Sequence, residues 1–386
     1  MDLQERISAL GAAPDLGDAV ATVTLDVSGS GILPREAAVF LRDRVYSRLE
    51  RVERAAESDQ LRRAAAHIRD YISSSLKPET EGLYLAAGAE GLEAMELRVP
   101  LRNSVQVESS PCIAPLVEAG QRWPRSLYVR FDDRRADIME FDLGILAEVA
   151  THVSGHPDSD VERSAVGAAA VRHGMRLSGS GVGGDRRDRF QQSMNAGVEG
   201  MLRQAARSIL ARRGDGASPI FIEGKPRRHD ALVRHLTKGA RADIHLLPAT
   251  GRKGEPALRR IMTALEKRHE EAVELQVLEL QSHRAEGGRF VLGPEGMAQA
   301  LTEGRLARLF VTADHPAPGV RCSNCAGLFA GSQTRCTNCG GAVRRVSLRE
   351  EALRRSLGGR TFDVTFVGAS KGWLTELGGM AALLKR

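Results

Sequence analysis

Ser178-Gly179-Ser180-Gly181-Val182-Gly183-Gly184 runs without a break into Asp185-Arg186-Arg187-Asp188-Arg189-Phe190. Glycine has no Cβ, so the tip of such a loop can approach another backbone or a reactive ester very closely. Good helix formers follow, and their spacing predicts the strongest helix of the chain over 185–213, carrying Arg186, Arg187, Arg189, Arg203, Arg207, Arg212 and Arg213. A P-loop fits poorly, because no Gly-Lys-Ser/Thr ending closes the glycines and no clear strand leads into them. The plainer reading is a flexible linker before a surface helix, with Asp185 as its N-cap. Residues 151–184 are rich in Gly, Ser, His and charge and weakly periodic, the mark of a long loop that is either functional or disordered.

Toward the N-terminus, the pattern predicts a strand over 126–131, a tight turn over 132–135 and a returning strand over 136–142, with 143–149 extending the meander. On the other side, a strand over 219–222, a helix over 227–236 and a strand over 244–247 complete a meander followed by alternating helix and strand. Residues 1–122 read as an N-terminal α/β domain, with a strand over 19–27, helices over 34–57 and 59–75, and strands over 83–87 and 95–99. A charged helix over 256–283 leads into a third region. There Gly293-Pro294-Glu295-Gly296 opens a helix to Glu303, and a strand over 306–311, a helix over 348–357 and a strand over 362–367 surround a group of cysteines. The fold class is therefore α/β multidomain, divided at 1–122, 123–256 and 257–386.

Cys322-Ser323-Asn324-Cys325-Ala326-Gly327 and Cys336-Thr337-Asn338-Cys339-Gly340-Gly341 each hold a Cys-x2-Cys pair, with ten residues between the pairs. Gly or Ala after the second cysteine lets backbone N–H groups turn toward the thiolates. Two such knuckles supply four sulfurs for tetrahedral zinc and leave no open position for catalysis. The expected cofactor is a structural Zn2+ on Cys322, Cys325, Cys336 and Cys339, in a zinc ribbon over 320–343; a redox dithiol or an iron–sulfur site would use the same ligands. Cys112 stands alone and reads as a small core residue.

The 386 residues are 42% apolar, enough for buried cores, and only 4% aromatic, which argues against a lectin or a base-stacking platform. The formal charge of +6 is uneven: residues 171–241 hold 15 Lys or Arg against 6 Asp or Glu, and the remainder is slightly acidic. One basic surface on a near-neutral protein suits a polyanionic partner, and a merely solvated charged surface has the same composition. No stretch approaches the ~18–20 apolar residues of a membrane span, and the first residues lack the layout of a signal peptide. The cysteines do not form a secreted disulfide framework, so the expected location is cytoplasmic with no membrane partner.

Gly183-Gly184-x-x-x-x-Arg189-Phe190 resembles the Gly-Gly-Gln loop and following Arg-Phe of class 1 archaeo-eukaryotic release factors. The hairpin around Asp132-Asp133-Arg134-Arg135-Ala136-Asp137 is similar to the start of their middle domain. The bridging helix followed by Gly293-Pro294-Glu295 resembles the start of their third domain, which in archaeal members carries a cysteine-paired zinc mini-domain where this chain has Cys322 to Cys339. The tail Leu377-Gly378-Gly379-Met380-Ala381-Ala382-Leu383-Leu384 resembles the ending of Pelota-type proteins. Together these cover 123–386, while 1–122 lacks the codon-reading motif of the eukaryotic factors and looks more like the bacterial, Balon-like branch of the superfamily. The resemblance implies an RNase-H-like middle domain pointing toward the peptidyl-transferase center. It also implies a C-terminal αβα sandwich of the kink-turn-binding ribosomal-protein type, with the zinc ribbon as an insertion.

The function implied is that of a ribosome-associated, tRNA-mimicking factor for the A site of idle or stalled 70S ribosomes, in hibernation or rescue. Arg186, Arg187, Arg189, Arg203 and Arg207 are the expected contacts to rRNA phosphates. The resemblance also leaves room for a delivering elongation-factor GTPase, with the protein a monomer off the ribosome. One departure bears on activity: Asp185 stands where the family has Gln, and an ionised carboxylate cannot donate a hydrogen bond. Whether the chain is an enzyme is thus open. A peptidyl-tRNA hydrolase using Gly183, Gly184 and Asp185 is the alternative, with Asp185 as general base or its N–H facing an oxyanion. A second alternative is an RNase-H-like nuclease using Asp132, Asp133, Glu140 and Asp142 as metal-holding carboxylates, although Asp132-Asp133 also simply favors a turn. His152 and His156 are a weak metal pair, and Arg227-Arg228-His229 with Arg234-His235 read as RNA-facing surface.

Overall fold

β1 (Val20–Asp26) sends Ala21, Val23 and Leu25 to one face and Thr22 and Thr24 to the other, and all five are buried. The computed structural model describes residues 3–12, 20–28, 39, 59–73, 77, 79–154, 182–213, 218–224, 226–247, 256–313, 315, 317–359, 362–368 and 372–385. β2 (Gly82–Ala87), β3 (Leu92–Leu97) and β4 (Ser104–Glu108) complete an antiparallel sheet in the order β3-β2-β1-β4. The helix Asp59–Ser73 lays Ala64, Ala65 and Ile68 on the Val23, Leu25 and Leu85 face. These elements lie close to where the sequence puts them. β4 and the helices Leu3–Ala12 and Ala114–Arg122 are additional, and the helix expected over 34–57 lies outside the described residues apart from position 39.

β5 (Ser126–Phe131), β6 (Arg135–Asp142) and β7 (Ile145–Val153) form the expected meander, with Leu143 (φ 41°) and Gly144 (φ 81°) as a two-residue turn between β6 and β7. β7 reaches Val153, so Thr151 and His152 belong to a strand and not to the long loop. The rest of that loop, 155–181, lies outside the described residues. The helix Val182–Arg213 leads to β8 (Ile220–Glu223), then the helices Pro226–Arg234 and Lys238–Ala242 lead to β9 (Ile244–Leu247). The sheet runs β7-β6-β5-β8-β9, with β5, β8 and β9 mutually parallel and β6 antiparallel to both its neighbors, which is the RNase-H-like topology.

β10 (Phe290–Leu292), β11 (Leu306–Thr312), β12 (Pro318–Cys322), β13 (Leu328–Ala330), β14 (Val343–Ser347), β15 (Asp363–Val367) and β16 (Met380–Leu384) form two sheets, β10-β16-β11-β15 and the small β13-β12-β14. On the larger sheet, the helices Gly293–Glu303 and Leu348–Leu357 cover one face through Met297, Leu301 and Leu353. The helices Ala257–Ala285 and Gly372–Glu376 cover the other through Val277, Leu280 and Leu374. The result is an αβα sandwich with the small sheet inserted.

By contacts the chain divides into two compact units, Pro124–Ala264 and Met1–Trp123 together with Leu265–Arg386. A buried polar joint holds the two ends of the second unit together. The Glu350 carboxylate accepts from the backbone N–H of Ile113 at 2.8 Å and Ala114 at 3.3 Å, at the N-terminus of the helix Ala114–Arg122, and from the Cys112 thiol at 3.0 Å. An anion is favored there, because the first N–H groups of a helix lack partners. Arg349, 1% exposed, donates to Glu350 at 3.4 Å and to Gln106 at 3.3 Å. Arg354 donates to the carbonyls of Leu10 at 2.9 Å and Gly11 at 3.0 Å, at the C-terminal end of the helix Leu3–Ala12.

Glu350→Ala is expected to lower the stability of this unit by about 3–5 kcal/mol in chemical denaturation, since it strands the Arg349 charge and two N–H groups. Glu108 supplies the pH dependence: burial first, then the Glu350 charge, push its carboxyl up to about 7. A raised acid stabilises fully while protonated, and that contribution disappears as pH rises through the folded value. Stability of this unit should therefore fall by on the order of 2 kcal/mol from about pH 5 to about pH 8, and Glu108→Gln should flatten the profile.

Candidate functional site

The helix Val182–Arg213 starts three residues earlier than its sequence pattern suggests, so Gly183, Gly184 and Asp185 form its first turn and not the end of a loop. The first N–H groups of a helix need no intrahelical partner, so glycines fit there with less loss than in an interior turn. Val198, Met201, Leu202, Ala205, Ala206 and Ile209 recur at three- and four-residue spacing and bury against the β5–β8 sheet. That periodicity leaves Arg203 and Arg207 exposed on the opposite face, one turn apart. The side chains of Arg186, Arg187 and Arg189 lie outside the described residues.

The carboxylates of the hairpin do not gather into a nuclease center. Asp132 accepts from the backbone N–H of Arg134 at 2.7 Å and Arg135 at 2.9 Å, which fixes the turn. Asp133 pairs with Arg228 at 3.2 Å, and Glu140 pairs with Arg125 and, at 3.9 Å, with Arg212. Among the described residues, the four cysteines are the only group of three or more His, Cys, Asp or Glu side chains placed to hold a metal. His152 meets Ser208 at 2.9 Å, and His156 lies outside the described residues. His229 corrects the reading of a basic outer surface: it is buried, set edge-on to Phe131 at 5.8 Å, with burial holding its imidazole below the usual range. The helix Pro226–Arg234 turns that side chain inward, and His235 pairs with Glu199 at 2.8 Å.

Two polar clusters of this unit had no sequence signal beyond single charges inside strands. Asp137 is buried, which alone would push its pKa up, but hydrogen bonds from Arg135, Arg130 and Thr151 hold it below the usual carboxylate range. Glu223, at the end of β8, accepts from the Tyr128 hydroxyl and from Arg260 at 2.5 Å.

The cysteine knuckles assemble as the spacing requires. The four sulfurs of Cys322, Cys325, Cys336 and Cys339 all lie within 4.8 Å of one another, and both Cys322–Cys339 and Cys325–Cys336 are 3.5 Å apart. A tetrahedron with metal–sulfur bonds of ~2.3 Å has edges of about 3.8 Å, so the set fits one tetrahedral ion. Each knuckle closes in the same way. Ala326 N donates to Cys322 O at 3.1 Å and Gly340 N to Cys336 O at 2.9 Å, while Cys322 N and Cys336 N each reach a glycine carbonyl at 2.9 Å, those of Gly327 and Gly341. The N–H of Cys325, helped by that of Asn324 and opposed by burial, holds the Cys322 thiol down to about 6. The residue after each second cysteine takes a left-handed backbone, φ 55° at Ala326 and 71° at Gly340.

That conformation suits glycine and strains alanine. Ala326→Gly is accordingly expected to raise the unfolding free energy of the metal-loaded protein by about 0.5–1 kcal/mol, and Gly340→Ala to lower it by about 1–2 kcal/mol. Loading with Zn2+ should raise the melting temperature of the wild type, and a Cys336→Ser variant should lose that gain.

No protein-family model matches the chain, and no curated protein matches it. Solved structures do. An archaeal translation termination factor is 14% identical, covering 100% of this chain and 96% of its own at a TM-score of 0.23. Dom34 of S. cerevisiae, described as a translation termination-like factor in RNA quality control that interacts with Hbs1, is 9% identical, with 100% and 93% coverage and a TM-score of 0.39. An archaeal Pelota bound to the ribosome with ABCE1 is 13% identical, with 99% and 94% coverage and a TM-score of 0.41. Identities and TM-scores this low carry no conclusion about fold or function.

Proposed function

We propose that this protein is a ribosome-associated factor of the release-factor kind, from the bacterial branch, that enters the A site of idle or stalled 70S ribosomes. The observation that carries the reading is the 32-residue helix Val182–Arg213 on an RNase-H-like sheet, opening with Gly183-Gly184-Asp185 and exposing Arg203 and Arg207. In this reading the glycine end points at the peptidyl-transferase center, and Arg186, Arg187, Arg189, Arg203 and Arg207 neutralise rRNA phosphates. A Zn2+ on Cys322, Cys325, Cys336 and Cys339 supplies a structural cross-link with no open ligand position. An elongation-factor GTPase is the candidate for delivery; the yeast neighbor Dom34 is described as interacting with Hbs1. The cytoplasm is the matching location, and among the described residues no helix is long and apolar enough to cross a membrane.

Binding without hydrolysis is the favored form, because a carboxylate at position 185 cannot donate as an amide does. Co-sedimentation with empty and peptidyl-tRNA-loaded 70S ribosomes at near-physiological salt is expected to give saturable, near-stoichiometric binding that favors empty ribosomes. Binding no stronger than to bulk RNA would sink the proposal. The double variant Arg203→Ala/Arg207→Ala should weaken binding about tenfold or more and reduce the salt slope by about 2. Wild type should release no peptide from loaded ribosomes. Release lost in Asp185→Ala would make the protein a peptidyl-tRNA hydrolase instead.

A further inference from the structure

In the unit Pro124–Ala264 most of the arginines around the sheet meet a carboxylate: Arg130 and Arg135 share Asp137, Arg213 pairs with Asp243, Arg228 with Asp133 and Arg260 with Glu223. Five exposed cations of the same unit do not. Arg203 and Arg207 on the helix Val182–Arg213, Arg234 at the end of the helix Pro226–Arg234, and Lys238 and Arg241 on the helix Lys238–Ala242 have no carboxylate partner among the described residues.

The chain gathers these five side by side. Glu199 meets His235 at 2.8 Å, which ties the long helix to the end of the helix Pro226–Arg234. Arg203 lies one turn beyond Glu199, and Arg207 one turn beyond that. Arg234 directly precedes His235, and Arg241 donates to the carbonyls of Arg234 and Leu236, both at 2.9 Å, which folds the helix Lys238–Ala242 back beside it. Acids do little to offset them: Glu199 serves His235, Asp243 serves Arg213, and Asp230 is exposed. Like charges held this close repel, and a polyanion is what relieves them.

The surface has cations and no rings. No Phe, Tyr or Trp occurs from Gln191 through Arg213 or from Pro226 through Asp243. His229 is buried, and His235 is held by Glu199. Proteins that hold single strands combine a cationic groove with aromatic side chains on which the bases stack, and only the first of these is present. Cations alone suit a duplex, whose bases are already stacked and whose phosphates face outward. Gly200 lies on the same side of the long helix as Arg203 and Arg207, and a Cβ there would meet nothing within 4 Å. Glycine inside a helix is unfavorable beside alanine and no contact requires it here, but its bare backbone lets a phosphate chain approach closely.

We propose that the surface formed by Arg203, Arg207, Arg234, Lys238 and Arg241 binds double-helical RNA along its phosphate backbone, without reading sequence. The choice of RNA as the polyanion rests on the ribosome reading, and the preference for a duplex rests on this surface alone. Arg234, Lys238 and Arg241 lie outside the contacts assigned in that reading and carry the surface from the long helix onto the two short ones.

The test titrates the full chain against a fluorescein-labelled RNA duplex of about 20 base pairs and against oligouridine of the same length, by anisotropy at about 50 to 200 mM salt. Saturable binding to the duplex is expected, about tenfold or more tighter than to oligouridine. Arg234→Ala/Lys238→Ala should keep the melting temperature, weaken duplex binding about tenfold and lower the salt slope by about 2. Arg62→Ala/Arg63→Ala removes two exposed charges from the other unit and should change neither affinity nor slope. The proposal is overturned by no saturable duplex binding up to about 100 μM, by oligouridine bound as tightly, by undiminished binding of the Arg234 and Lys238 variant, or by an equal loss in the Arg62 and Arg63 variant. The assay contains no ribosome, so a failure of ribosome co-sedimentation with duplex binding intact sinks the A-site reading and leaves this surface standing.

Discussion

One carboxylate holds the two ends of this chain together. Glu350 lies 237 residues from Ile113, yet it supplies the acceptor that the first turn of the helix Ala114–Arg122 lacks. The surrounding groups are dictated by its burial. An unpaired buried anion would be intolerable, so Arg349 lies against it, the Cys112 thiol donates to it, and Tyr84 donates to the carbonyl of Cys112 at 3.1 Å. The helix Leu348–Leu357, which carries Glu350 in its first turn, uses its other end in the opposite sense, Arg354 serving the carbonyls that finish the helix Leu3–Ala12. One acid for a helix beginning and one base for a helix end make an electrostatically complementary joint.

The other unit is organised by apolar periodicity and not by buried charge. Its long helix packs by the spacing of Val198, Met201, Leu202, Ala205 and Ile209, while its acids are used up in turns and ion pairs: Asp132 by the Arg134 and Arg135 amides, Asp133 by Arg228, and Asp243 by Arg213. A domain with RNase-H-like strand order therefore lacks, among its described residues, the carboxylate set for two-metal chemistry. What it offers instead is a glycine-started helix with cations outward.

Much of this was legible in the sequence for physical reasons. Ser126-Leu127-Tyr128-Val129-Arg130-Phe131 is β-branched and aromatic between turn residues, and the helix Leu348–Leu357 has Ser347 as its cap, accepting from Glu350 N. The cysteine knuckles were legible because tetrahedral ligation needs only short local spacings. What stayed hidden depends on distant partners. Arg349, Glu350 and Glu351 have the composition of a solvated helix face, and distant segments make them interior: Gln106 to Ala114 meets Arg349 and Glu350, Ala313 and His315 accept from Arg349, and Arg321 pairs with Glu351. His229 sits among arginines and reads as surface, although the helix phase turns it toward Phe131. The first turn at Val182 was hidden as well, since a run of glycines carries no helical preference of its own.

The cysteine insertion is wired directly into the joint. β14 ends at Ser347 and the helix bearing Arg349, Glu350 and Arg354 begins at Leu348, with no residue between them to absorb slack. Gly319 of β12 tightens the connection further: a Cβ there would stand 2.6 Å from the Leu348 side chain, so only glycine lets ribbon and helix lie so close. A metal ion on the four sulfurs would thus set the position of a carboxylate that caps a helix of the N-terminal segment. Metal binding would then be coupled to the seating of the helix Ala114–Arg122, and a chelator reaching the ribbon would be felt at Cys112.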